Sequence, residues 1–342
     1  MNIKHSTLAA AVTAALAMGA SGQAAAYVYG ASGLNIDQLA LVISPFSSVS
    51  INRFDFNLTN TATLNGVPTI QVASCGGLPG ATNNTCSSID PALNALAANA
   101  PGSTLLRVDN ATTANSFTFY GPGAGGDWSN SDTVINTAEL VQLGSPTKTN
   151  QIAESLLNNG TQAAASAQIT SITGFTLNFT LVGGPASLTL SFLADPDMQA
   201  AIIGELGSSF SAQANMAVTF SLQQNTGGTG FITWSPQGTL ANDCGALFGP
   251  TCTETNDSED LNINVGTVAN NTTENNSFGP GVSGLVPYGI SVGGLTAGIW
   301  SLTLNAVTST NLARVPEPGM LALLGIGLLG MGMSARRNKK LA

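Results

Sequence analysis

Histidine is almost missing from this 342-residue sequence; the single one is His5. Everything after it lacks imidazole. That removes Ser-His-Asp and Cys-His nucleophilic arrangements, and histidine-ligated zinc with them. Basic residues are nearly as scarce. Of nine lysines and arginines, Lys4 stands at the start and Arg336, Arg337, Lys339 and Lys340 stand at the end. Only Arg53, Arg107, Lys148 and Arg314 lie between. All eighteen acidic residues fall between Asp37 and Glu317. With Glu317 set aside, seventeen acids against four bases leave the body at −13. A nucleic-acid partner is excluded, because phosphate binding needs a cationic face. Direct docking on anionic lipid is disfavoured for the same reason. An acidic surface suits solubility outside the cell and a weak attraction for divalent cations.

Charge of either sign is thin, at 8% of the chain. Asn, Thr, Ser and Gly supply the polarity, while enough Leu, Ile, Val and Phe remains for a sizeable core. Cysteine is limited to four residues in two local pairs, Cys75 with Cys86 and Cys244 with Cys252. Both pairs bracket glycine-rich turns, so two loop-closing disulfides are expected in an oxidising compartment. Loops of this size each gain roughly 2–3 kcal/mol in the chain-entropy picture.

The ends differ from the body. Asn2-Ile3-Lys4-His5 is a short positive head, Leu8 to Ala20 is apolar, and Ala24-Ala25-Ala26 is a small-residue cleavage site. That order predicts a signal peptide over residues 1–26, cut between Ala26 and Tyr27. The body is then residues 27–314, long enough for one large β domain or two ordinary ones.

Within the body, apolar residues alternate with polar ones. Val49, Ile51, Phe54, Phe56 and Leu58 form one inward set, with a parity slip near Asn52-Arg53 that predicts a bulge. Phe175, Leu177, Phe179 and Leu181, the Gly183-Gly184-Pro185 turn, then Leu188, Leu190 and Phe192 read as a β-hairpin. Ser116–Tyr120, Met216–Gln223, Gly230–Ser235 and Gly298–Thr308 repeat the style. The expected fold class is mainly β: an antiparallel β-sandwich or jelly-roll-like body. A few short helices are expected where N-cap and first-turn signals occur, at Asp195-Pro196, over Ser145–Leu157 and over Asp90–Asn99. Gly121–Asp132 and Thr253–Gly281 read as exposed loops.

Several motifs invite chemistry. Gly325–Gly330 matches a dinucleotide fingerprint in letters only, since no strand precedes it and no acidic residue follows. Ser145–Lys148 matches Ser-x-x-Lys, but no Lys-Thr-Gly or Ser-Asp-Asn accompanies it. Glu254, Asp257, Glu259 and Asp260 concentrate hard oxygen ligands and are candidates for Ca2+, although they depart from the EF-hand loop. A solvated acidic loop is the plainer reading. Asp127, Asn130 and Asp132 offer a smaller set. Trp128, in a glycine-rich loop, is the candidate for carbohydrate contact, while Trp234 and Trp300 read as core. No cofactor and no catalytic residues are expected.

The C-terminus combines Val315-Pro316-Glu317-Pro318, an uncharged run from Gly319 to Ala335, and the Arg336-Arg337-Asn338-Lys339-Lys340 cluster. A helix over 319–335 would span roughly 25 Å, just under a bilayer core, and the positive-inside rule leaves its tail cytoplasmic. This layout, over residues 315–340, resembles the PEP-CTERM sorting signal of Gram-negative bacteria. The resemblance implies an exosortase-like membrane processing enzyme as partner. Pro316, Glu317 and Pro318 would be the recognition element and Arg336 and Arg337 part of the basic stop. It further implies a membrane-anchored intermediate, then delivery to the outer surface or the exopolysaccharide matrix. The expected function is therefore a structural or adhesive protein of the cell surface or biofilm matrix, and not an enzyme. A carbohydrate-binding module for matrix polysaccharide is the alternative, and an exported glycosidase working through two carboxylates is a third.

Overall fold

The computed structural model describes residues 26–45, 49–77, 95–107, 117–123, 125–136, 147–158, 165–204, 208–239, 241–277 and 284–316. The regular elements among them are all strands, and every pairing is antiparallel. In chain order they are β1 (Tyr27–Ser44), β2 (Val49–Leu64), β3 (Val67–Gly77), β4 (Ala95–Asn99), β5 (Trp128–Asn136), β6 (Thr147–Asn158), β7 (Ala165–Leu181) and β8 (Ala186–Ile203). There follow β9 (Ser208–Thr226), β10 (Phe231–Trp234), β11 (Cys244–Leu247), β12 (Thr251–Asp257), β13 (Asn264–Thr267), β14 (Thr272–Asn276), β15 (Val286–Leu295) and β16 (Gly298–Pro316). One sheet runs β12-β15-β8-β1-β6-β5-β4, with β14 also on β8. The other runs β11-β10-β9-β16-β7-β2-β3, with β13 also on β9.

The two sheets face each other because each long strand has one apolar side to hide. Along β7, Ala165, Ala167, Ile169, Ser171, Thr173, Phe175, Leu177, Phe179 and Leu181 are buried, and the residues that alternate with them are not. The predicted inward set of β2 holds, and its register slips between Ile51 and Arg53, at the expected bulge. Aromatic rings bridge the sheets. Phe192 of β8 lies 5.2 Å from Phe220 of β9, which lies 5.2 Å from Trp234. Each such side chain contributes about 1.5–3 kcal/mol by leaving water.

The interior is not apolar throughout. Across the middle, Ser155 Oγ meets Thr310 Oγ1 at 2.8 Å, Thr173 donates to Gln151 Oε1 at 2.6 Å, and Thr133 donates to Asn60 Oδ1 at 3.0 Å. This belt of hydroxyls and amides lies between the main apolar cluster and a smaller one built on Val28, Leu157, Ile202, Phe210 and Leu312. Buried polar groups of this kind hold the facing sheets in one register, because a slip would leave them unpaired.

Several expectations are corrected. Phe175–Phe192 is not a hairpin: β7 and β8 lie in different sheets, so Gly183–Pro185 turns a corner between them. A corner and a hairpin impose the same alternation on both strands, so the pattern alone does not separate them. The Asp195-Pro196 segment is strand, not helix, inside β8. Pairing with β15 stops at Ala194 and pairing with β14 resumes at Met198, so a proline is tolerated between them. The expected helix over Ser145–Leu157 is replaced by β6, both of whose faces are covered, which erases its alternation. Ala95–Asn99 is likewise strand. Residues 117–120 form no strand, and 253–277 contains β12, β13 and β14 where a loop was expected. Among the described residues no helix is long and apolar enough to cross a membrane. The signal peptide before Ala26, Cys86, and the chain from Glu317 on (Pro318, the 319–335 span, Arg336 and Arg337) lie outside the described residues, as does the side chain of Cys75.

Candidate functional site

Both ends of the body leave from one end of the two-sheet stack. Tyr27, the first residue of β1, pairs with Asn158 and Ile203. Near the end of β16, Arg314 pairs with Ala165 and with Phe210, and Pro316 with Ser208. The two strands meet across the interior. A methyl added to Gly30 would lie 3.0 Å from Leu312 Cδ2, so glycine there permits the approach. The Arg314 guanidinium sits 5.8 Å from the centre of the Phe210 ring. Ala26, Tyr27 and Pro316, three of the expected processing residues, are thus brought to the same end.

Trp128, the candidate for carbohydrate contact, is not exposed. It begins β5, is fully buried, and packs edge-on to Tyr120 with ring centres 5.8 Å apart. The reason is a cover over the outer side of β1, β5 and β6, made by 101–107, 117–123 and 125–127. Glu154, on β6, anchors this cover. Its carboxylate accepts from Tyr29 Oη at 2.6 Å, Arg107 at 2.7 Å, Gly121 N at 2.8 Å and Tyr120 N at 3.0 Å. Arg107 also donates to Asn130 Oδ1 at 2.9 Å and lies 4.4 Å from the centre of the Tyr120 ring. Burial, followed by the Glu154 charge, raises the Tyr29 phenol well above its usual range. Asn130 and Asp132 are buried in β5, and Asp127 Oδ1 accepts from Asn158 N at 2.7 Å. These three residues serve structure.

The acidic flank lies at the opposite sheet edges. The Cys244–Cys252 disulfide is present, with Cα atoms 5.8 Å apart, and ties β11 to β12. Beside it, ligand oxygens of Asp243, Glu254 and Asp257 lie within 4.8 Å of one another. The expected four residues are divided. Glu254 and Asp257 join Asp243, whose place in the group the sequence did not signal. Glu259 accepts from Ser277 Oγ at 2.8 Å, and Asp260 accepts from Asn262 N at 2.7 Å. Part of this group is engaged within the fold, while Asp257 Oδ1 is buried without a hydrogen-bond partner among the described residues. Glu254 accepts from Trp234 Nε1 at 2.5 Å and Asp243 N at 3.0 Å, and Asp257 Oδ2 accepts from the backbone of Gln237, Gly238 and Thr239. Three carboxylates also fall short of the six to eight oxygens that calcium takes. Asp195 and Asp197, read from sequence as a helix start, instead feel the Glu259 charge. Burial first, then Asp195 and Glu259, push the Asp197 carboxyl up to about 7.

The outer face of the β9-β16-β7-β2 sheet has a different character. β7 and β9 contain no charged residue and β16 only Arg314. Rows of outward residues run straight across four strands: Asn57-Gly174-Asn305-Thr219, Thr59-Ile172-Val307-Ala217, and Thr61-Thr170-Ser309-Asn215. The one charged pair on β2 neutralises itself, Arg53 to Asp55 at 2.6 Å. Chemically the face is a grid of hydroxyls, amides and methyls at strand spacing, about 4.8 Å.

No curated protein and no solved structure matches this chain. The recognised feature is the terminus that leaves β16: residues 314–337 match the PEP-CTERM protein-sorting motif, which indicates an exported protein processed by an exosortase-type membrane enzyme.

Proposed function

We propose that this chain is a non-catalytic structural or adhesive component of the cell surface or extracellular matrix. The observation that carries the reading is the junction of the sorting motif with an all-β body, where the motif begins inside the last strand. The absence of histidine after His5 supports a role without acid–base catalysis by imidazole. The test is the mass and location of the mature species in the cells that make it. A chain that starts at Tyr27, lacks Arg336–Lys340 and sits in the surface or matrix fraction is expected. Glu317→Ala combined with Pro316→Ala should keep the tail and hold the protein in the membrane fraction. A full-length cytosolic protein would overturn the proposal.

A second reading follows from the neutral outer face. Its rows of Thr, Ser and Asn suit hydrogen bonding to an uncharged matrix polysaccharide, in place of the buried Trp128. Binding on a glycan array, lost in Thr170→Glu with Asn305→Asp, would favour it; no binding to any neutral glycan would discard it.

A further inference from the structure

The end of the sheet stack away from Tyr27 and Pro316 has its own chemistry. Gly298, the first residue of β16, pairs there with Leu181, and Ile299 with Thr226. β16 runs from this end to the sorting motif over 19 residues, roughly 60 Å at strand rise. Four connections meet here. A Cβ on Gly184 would lie 3.4 Å from Leu295 O, one on Gly227 2.6 Å from Ala297 O, and one on Gly294 3.6 Å from Gly249 O. Residues 181–186, 226–230, 245–251 and 293–300 contain no charged side chain, although the body as a whole is strongly acidic.

The hairpin of β11 and β12 belongs to this neutral end. The Cys244–Cys252 disulfide closes its base, and β10 braces it, with Phe231 opposite Leu247. Its tip carries Leu247 at 55% exposed and Phe248 at 74%. Phe248 also has a φ of 62°, in the left-handed region, where a bulky side chain is unfavourable and glycine or asparagine is the ordinary choice. Neither burial nor backbone preference accounts for a phenylalanine there. A strained, exposed aromatic on a braced turn is explained by contact with something outside the chain.

We propose that the Leu247–Phe248 tip inserts into the interface of an uncharged lipid bilayer, at a surface other than the one that holds the C-terminal tail. Two observations select lipid. The first is depth. Asp243 and Glu254, the first carboxylates down the hairpin, stand four positions below Leu247 and Pro250, about 13 Å along the strands. Interfacial apolar groups sit about 5–10 Å deep, so the tip reaches the acyl boundary while both carboxylates stay in water. The second is the company of the ring. Ala246, Leu247, Gly249 and Pro250 bring no hydrogen-bonding side chain, which a stacked sugar needs to be oriented. A bilayer asks only for apolar area. The length of β16 keeps the tip off the membrane that holds the tail, so the two ends face different lipid surfaces. The choice of a second surface rests on the sorting reading; insertion itself does not.

The full chain, reconstituted through its tail into phosphatidylcholine vesicles, is mixed with bare phosphatidylcholine vesicles that carry a fluorescent lipid. Wild type is expected to capture the bare vesicles. Leu247→Asp with Phe248→Asp should lower capture about tenfold or more, the worth of one buried large apolar side chain. Val268→Asp, at an exposed position beside the strand pairs nearer the sorting motif, should change nothing. Phe248→Gly separates contact from folding: it suits the backbone and should melt no lower than wild type, yet capture about tenfold less. Phe248→Trp should add an emission that brominated phosphatidylcholine quenches, whether or not the tail is anchored. No capture by wild type, equal capture by the tip variants, or an unquenched Phe248→Trp would overturn the proposal. Proteoliposomes that cluster with one another but ignore bare vesicles would also overturn it, and assign the tip to a second copy.

Discussion

Pro316 lies opposite Ser208 in the last register pair of β16 and β9. The first proline of the Pro-Glu-Pro is therefore still part of the sheet, and no spacer separates the sorting motif from the folded body. Tyr27 starts β1 at the same end, so the chain enters and leaves the body side by side. The sorting motif therefore begins next to finished structure.

If the strand that leads into the motif is integral to the fold, its end should be costly to alter. Leu312 is fully buried and packs over Gly30. Leu312→Ala should destabilise by about 2–5 kcal/mol, the usual cost of a cavity in a tight core. Denaturant unfolding should show the lowered midpoint at unchanged slope.

The cover over Trp128 should fail with its ion pair. Arg107→Ala leaves the Glu154 carboxylate buried with no cation, which costs about 3–5 kcal/mol. A fall in Tm is expected, together with new chymotrypsin cleavage near Tyr120, and loss of the Trp128 signal in near-UV circular dichroism. An unchanged cleavage pattern would mean the cover is held by something else.

Stability should fall as pH rises. The folded Asp197 carboxyl is raised to about 7, chiefly by burial, while the unfolded one titrates near 4. Between those values the native state holds more protons than the unfolded state, so the slope of stability against pH is negative. The contribution is absent below about pH 4 and complete above about pH 7. Asp197→Asn should raise Tm at pH 8, leave it nearly unchanged at pH 4, and flatten the curve between. A profile that rises from pH 4 to 7 in wild type would contradict the burial of this carboxyl.

How far the strands were readable depended on whether one face of each was wet. β2, β7, β9 and β16 show plain alternation, and their inward residues, Phe54, Phe175, Phe220 and Leu302 among them, are buried as the pattern implies. β6 has Ala153 and Leu157 in the interior while Glu154 and Leu156 lie under the cover, so no alternation survives and local helix signals win the reading. β8 was misread for a different reason. Asp195-Pro196-Asp197 is a strong local helix start, overruled by long-range pairing with Leu34, Asn35 and Gly33 of β1. The acidic site was legible in composition but not in grouping. Asp243 reaches Glu254 and Asp257 only because a disulfide and a sheet-to-sheet crossing bring β11 and β12 together.

By itself the sequence determined what is local in kind: the sorting motif near its C-terminus, the Cys244–Cys252 loop, the antiparallel β class, and the exclusion of imidazole chemistry. Each is written in neighbouring residues or in simple counts. The tertiary structure decided which strands face which, that Gly183–Pro185 is a corner, and that Trp128 is covered. Those outcomes rest on contacts between residues far apart in the chain, where pairing and burial compete and no local pattern records the winner.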